Sequence, residues 1–167
     1  LSPDGRLLTG WNEIDNLNRR LRVRVREADG TWGDARWMSP SGHDAGDNPS
    51  AVVNRDGSFT VIWNVNTDYT VETLRAGETE WSSTVLNDRE PLTNGIANAD
   101  LTPMADGSTV MTYVRMEGGV NDVVVARRAS GSSSWSTFQT THEGTLSVNS
   151  PQVSTNENGD LAVVWRS

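Results

Sequence analysis

Four copies of one ten-residue phrase govern what this chain can fold into. They read SPDGRLLTGW (2–11), NRDGSFTVIW (54–63), MADGSTVMTY (104–113) and NENGDLAVVW (156–165). Their closing aromatics, Trp11, Trp63, Tyr113 and Trp165, stand 52, 50 and 52 residues apart. A self-similar period of this length marks a chain built from stacked copies of one supersecondary unit. A second, looser phrase falls between the copies: VREADGTW (25–32), LRAGETEW (74–81) and RRASGSSSW (127–135). Each holds an Arg, a turn containing Gly, and a Trp.

One unit reads as four short strands. The first is PSAVV (49–53), with relatives at 99–103 and 151–155. A turn at Asp56-Gly57 follows, matched by Asp4-Gly5, Asp106-Gly107 and Asn158-Gly159. Such pairs favour the positive-φ turns that suit the twist of paired strands, so each predicts a hairpin. The second strand runs from this turn to the aromatic. The third is YTVETLR (69–75), with RLRVRVR and DVVVARR as its counterparts, and the fourth follows the second Trp, as in WSSTVL (81–86). No stretch carries a 3.6-residue apolar period, so no helix is expected.

Four antiparallel strands in about 50 residues describe a β-propeller blade, and the fold class expected is all-β. One such sheet cannot bury both of its faces, whereas blades packed face to face around an axis can. The repeated aromatic is then packing between blades. The organisation expected is a partial blade over 1–39, blades over 49–86 and 99–140, and a half blade over 150–167. Closure takes about four to eight blades, and the chain opens on Leu1 rather than Met. A portion of a longer propeller is therefore expected; the alternative is a chain that closes by oligomerising.

Charge narrows the partners. With 14 basic and 22 acidic residues the formal charge is −8, which opposes nucleic-acid binding, because phosphates need a basic footprint. It equally opposes an anionic membrane surface, and no apolar run approaches the roughly 18 residues of a span. There is no Cys, which removes disulfides and thiolate metal sites. All basic residues are Arg, a pattern of GC-rich codon usage. No cofactor is expected.

The third-to-fourth-strand turns, READGTW (26–32) above all, resemble degenerate Asp-boxes of sialidase-like propellers, whose motif is Ser/Thr-x-Asp-x-Gly-x-x-Trp. Here Asp29 directly precedes Gly30, and the other two turns have no Asp. Over its whole length the chain resembles secreted actinobacterial repeat propellers with units running Pro…Asp-Gly…Trp…Arg…Gly-x-x-Trp. That resemblance implies a secreted, extracellular setting and a role as a lectin or targeting module, including modules attached to large toxins.

In a propeller the second-to-third and fourth-to-first connections gather on one face. Here they include 12–20, 64–68 and 114–121, and 39–48, 87–98 and 141–150, all rich in Asn, Asp, Glu and Arg. Such residues also form ordinary turns. As a site they would pair with sugar hydroxyls, and the candidates are Asn64, Asn66, Asp68 and Tyr69 with Arg115, Glu117, Asn121 and Asp122. They lie one repeat apart, hence in adjacent blades. Six of the seven Trp occupy repeat positions and are expected in the core; Tyr69 is the ring expected to be exposed. His43 and His142 lie about two repeats apart, too weak a pattern for a metal site. No Ser stands in a nucleophile elbow, and no spacing selects the carboxylate pair that a glycosidase needs.

The functional expectation is a non-catalytic, carbohydrate-binding module, with a protein-interaction scaffold second and a glycoside hydrolase third. One segment breaks the repeat: RLRVRVR puts Arg20, Arg22, Arg24 and Arg26 on one strand face. Counted back from Arg26, Arg75 and Arg128, Arg22 corresponds to Val71 and Val124. Arg22 and Arg24 are expected either to reach along the blade into solvent or to meet an acidic surface of another blade or subunit.

Overall fold

The structure, a computed structural model, describes residues 2–43, 45, 49–65, 68–86, 96–117, 120–141 and 148–166. Its described residues form thirteen strands and no helix, in four antiparallel sheets. The first sheet holds β1 (Leu7–Asp15), β2 (Asn18–Arg26) and β3 (Arg36–Trp37) in that order. The second holds β4 (Ser50–Val53), β5 (Phe59–Val65), β6 (Asp68–Leu74) and β7 (Trp81–Leu86). The third holds β8 (Ile96–Pro103), β9 (Thr109–Glu117), β10 (Val120–Arg128) and β11 (Ser136–Thr141). The fourth pairs β12 (Asn149–Thr155) with β13 (Leu161–Arg166). Strands follow one another across each sheet, which is the up-and-down order of a propeller blade, and the edge strands β4, β8 and β12 lie side by side.

The repeated turns have one geometry. Gly5, Gly57, Gly107 and Gly159 sit at φ 86, 82, 83 and 86. In each the Gly amide donates to the carbonyl three residues back, for example Gly57 N to Asn54 O at 3.0 Å. Only the Gly is left-handed, so the turn is the three-residue kind with a glycine bulge rather than a two-residue one. The Asp before it fixes the bulge: Asp56 Oδ1 accepts from the Ser58 amide and hydroxyl at 2.9 and 2.6 Å, and Asp106 holds Ser108 in the same way at 3.0 and 2.6 Å. Asp29 likewise accepts from the Thr31 amide at 2.8 Å in the turn that resembles an Asp-box.

Apolar residues between the sheets form the core. Trp63 and Val61 of the second sheet cluster with Leu21, Val23 and Met38 of the first. Tyr113 and Met111 of the third cluster with Ile62, Tyr69 and Val71 of the second. Trp165 of the fourth packs on Val114 and Val123 of the third. Trp63, Tyr113 and Trp165 therefore each cover the sheet before their own, which is why the phrase recurs.

Three expectations are corrected. The repeat Trp residues are not uniformly core: Trp63 is 6% exposed, but Trp11 and Trp32 are 37% and 42% exposed, because no described sheet precedes the first. Tyr69 is not an exposed ring; it is 3% exposed, with its side chain on the face that meets the third sheet. The alignment through the arginines slips by one residue in the second sheet. Trp11 pairs with Arg22, Trp63 with Thr70 and Tyr113 with Val124, so the counterpart of Arg22 is Thr70, and that of Arg26 and Arg128 is Leu74. The β5–β6 hairpin is shorter by two residues on each arm, which keeps the register, and Arg75 stands one residue beyond the position of Arg26 and Arg128.

Arg22 is half-buried and Arg24 exposed. Arg22 meets Glu13 of the adjacent strand at 3.0 Å and stacks on Trp37 with Arg20. Arg24 donates to Gly33 O at 2.6 Å and lies over Trp32. Arg20 pairs with Asp15. Their partners come from their own sheet.

Candidate functional site

The inner edge strands build the most regular concavity. Pro49 and Ser50 of the β4 end, Asn98, Ala99 and Asp100 of β8, and Ser150, Pro151 and Gln152 of β12 line an open cleft. Its walls are bulged. Pairing shifts register between Ala97 and Asp100 and again between Asn149 and Gln152. Asn98 and Ser150, at the same repeat position, have φ of 52 and 50. A left-handed non-glycine residue costs roughly 1 kcal/mol or more, so two at equivalent places are held by their surroundings. At the first bulge the buried Tyr69 side chain clusters with Ala99. Burial raises the Tyr69 pKa, and the adjacent backbone of Ala99 and Asn98 opposes the rise.

Asp100 ties three sheets together. Its Oδ1 accepts from the Ser50 hydroxyl at 3.1 Å and its Oδ2 from the Val153 amide at 3.1 Å. Each carboxylate oxygen keeps a further acceptor direction. The cleft thus presents one carboxylate, two hydroxyls (Ser50 and Ser150) and two side-chain amides (Asn98 and Gln152). Such a set pairs with several hydroxyls on one small polar molecule.

The residues chosen from the sequence lie at the same end of their sheets, since Ser50 pairs with Ile62 and Ile96 with Arg115. Those that are described are strand rather than loop residues, because pairing runs out to Asp15–Asn18, Val65–Asp68 and Glu117–Val120. Arg115 meets Asp122 across the ladder at 3.4 Å, and Asp122 is buried. Asn64 and Asn121 are half-buried. Asn66 lies outside the described residues, as do the side chains of Asp68 and Glu117. Tyr69 serves the cleft from behind, as a buried support. The cleft residues themselves went unnoticed in the sequence; the signal available was the recurrence of Asn48, Asn98 and Ser150 at one distance before the turn Gly.

Elsewhere, Glu72 on the buried face of β6 has its pKa raised by burial, partly opposed by Arg36 of the first sheet at 3.5 Å and by the Trp63 indole. The described residues contain no cluster of three His, Cys, Asp or Glu able to hold a metal. His43 is exposed, and His142 lies outside the described residues.

Antiparallel four-stranded sheets packed face to face, with inner strands around a polar cleft, define a chain of the β-propeller class. The fold is similar to that of the endo-arabinase from Bacteroides thetaiotaomicron, with a TM-score of 0.60 at 16% identity, over 98% of this chain and 67% of that one. It is also similar to a fucose lectin from Kordia zhangzhouensis solved with methyl-fucoside, with a TM-score of 0.48 at 13% identity, over 83% of this chain and 94% of that one. At these identities the likeness is one of fold, and the lectin superposition is too loose to argue from. No family model and no curated protein matches the sequence.

Proposed function

We propose that this propeller is a carbohydrate-binding module that takes a neutral sugar in the cleft formed by β4, β8 and β12. The observation that carries the reading is the convergence of Ser50, Asn98, Asp100, Ser150 and Gln152 from three successive sheets on one open space. Vicinal sugar hydroxyls both donate and accept, and this mixture of carboxylate, hydroxyl and amide can do both in return. Each polar contact is worth about 1 kcal/mol net, so one site binds weakly and copies of it would gain by avidity. Asn64 and Asn121, at the same end of the sheets, extend the proposed surface. A secreted setting belongs to this proposal and rests on the resemblance of the repeats.

Binding is favoured over hydrolysis because a glycosidase sets two carboxylates about 5 to 9.5 Å apart across the scissile bond. Asp100 is the one carboxylate among the described residues of the cleft. A protein-interaction role is the second reading, favoured by the exposed Trp11 and Trp32 with their neighbouring arginines. A glycan array read with the wild type, Gln152→Ala and Asp100→Asn decides. A glycan signal weakened in Gln152→Ala, with folding intact, supports the cleft. No glycan signal at all sinks the proposal, and turnover of a bound glycoside that Asp100→Asn abolishes would replace it with the hydrolase.

A further inference from the structure

We propose that a second cleft, between the second and third sheets at the opposite end from the first, binds a small oxyanion: a carboxylate or sulfate group. The inference is independent of the sugar site. It starts from Arg128, the last residue of β10, which is only 7% exposed. Its Nη1 donates to the Thr73 hydroxyl, and its Nη2 donates to Thr60 Oγ1 at 2.7 Å and Thr109 Oγ1 at 3.2 Å. All three partners are neutral, the Trp135 ring lies 5.4 Å from the guanidinium, and no carboxylate of the described residues is within ion-pair distance of it.

A buried cation without a counter-ion is costly, and proteins pair such groups or neutralise them. Packing does not require one here, because the same register position in the second sheet is Leu74. Nor is the guanidinium there to close a pair at its own turn. That task falls to the adjacent Arg127, which reaches Asp106. The hydroxyls that receive Arg128 are themselves fixed: Thr109 donates to Asn54 Oδ1 at 2.8 Å, and Asn54 Nδ2 donates to Thr60 and Ser58. The cation is thus held in a set position rather than buried by default.

The space it borders is a small cleft rimmed by Arg75, Ser82, Ser130 and Ser132. Its one carboxylate, Asp56, has Oδ1 taken up by Ser58. Burial lowers the Arg128 pKa from its ordinary value, with Asp56 opposing that shift. Both Nη2 hydrogens of Arg128 are taken by Thr60 and Thr109, which leaves one Nη1 N–H to donate, and a charged acceptor makes the stronger bond. A neutral sugar would leave the cation unpaired. An anionic group entering between Arg128 and Arg75 would compensate it, with the serine hydroxyls donating to the remaining oxygen atoms.

Thermal unfolding and calorimetric titration of the whole chain test this with three probes at matched ionic strength: sodium sulfate, sodium galacturonate and galactose. Saturable binding of sulfate or galacturonate, without galactose, is expected. Tighter galacturonate marks an acidic sugar, and tighter sulfate a sulfated or free anion. Arg128→Met should abolish the response, Arg128→Lys should retain part of it, and Arg75→Gln should weaken it about tenfold through loss of one charge-assisted contact. Arg75 is exposed, so that variant decides the matter even if Arg128→Met fails to fold. No saturable response to either anion, or one that Arg75→Gln leaves unchanged, overturns the proposal.

Discussion

The first and second sheets present the same face in the same direction, but only the second has a sheet against it. On the second, Trp63 and Val61 pair with Thr70 and Glu72, and this surface packs on Leu21, Val23 and Met38. On the first, the same positions hold Trp11 and Thr9, paired with Arg22 and Arg24. Where a neighbour is present, the one charge, Glu72, is answered from across the interface by Arg36. Where none is described, the arginines are answered within their own sheet by Glu13, Asp15 and the faces of Trp32 and Trp37. The repeated phrase thus sets the hairpin, while the neighbour decides whether its aromatic is core.

Removing the two aromatics tests that contrast most strongly. Trp63→Ala should cost about 3–5 kcal/mol, the usual loss for a large buried ring, whereas Trp11→Ala should cost under about 1 kcal/mol. Urea unfolding of both variants gives the comparison, and equal losses would show the first sheet to be covered as well.

The inter-sheet charge is the next point of attack. The folded-state pKa of Glu72 is raised above its ordinary 4.5, chiefly by burial. The folded chain therefore keeps a proton that the unfolded chain releases, and this contribution to stability falls as pH rises from 4.5 through the folded value. Glu72→Gln should remove that fall, so the variant gains on the wild type between pH 4 and pH 7. Arg36→Ala should steepen it. A difference between wild type and Glu72→Gln that does not change with pH would show that Glu72 is not the source.

On the open face, Arg22→Glu combined with Arg24→Glu tests whether these residues meet an acidic surface of another blade or subunit, which we propose. Sedimentation should show weaker association than in the wild type, with the β-sheet circular dichroism retained. Association unaffected by the double change would leave these arginines as intra-sheet partners alone. The smallest effect belongs to the turns, which are common to covered and uncovered sheets. Asp56→Ala and Asp106→Ala should each cost about 1 kcal/mol, and a large inequality between them would show that the turns depend on their neighbours too.

The propeller fold was legible because its signals are local and repeated: Asp-Gly before a strand, an aromatic at its end, and a period of 50 to 52 residues. The exposure of Trp11 and Trp32 was not, because burial depends on a sheet that the phrase itself does not encode. Tyr69 misled for a related reason. Near a hairpin tip an aromatic reads as surface, yet here the third sheet covers it. The residues chosen from the sequence share an end with the cleft, but the converging groups come from strand edges rather than from the loops of richest composition. Nothing local in Ser50, Asp100 or Gln152 announces that three sheets bring them together. Arg128 was counted only as a repeat position, since its lack of an acidic partner is a property of packing.

The most direct test of the central claim is a nuclear magnetic resonance titration of the labelled chain with a sugar that it binds on the array. The account predicts amide shifts at Ser50, at Asn98 through Asp100 and at Ser150 through Gln152, with little change at the Asp-Gly turns. Shifts confined to the hairpin tips or to the Trp11 face, with those three segments unmoved, would contradict it.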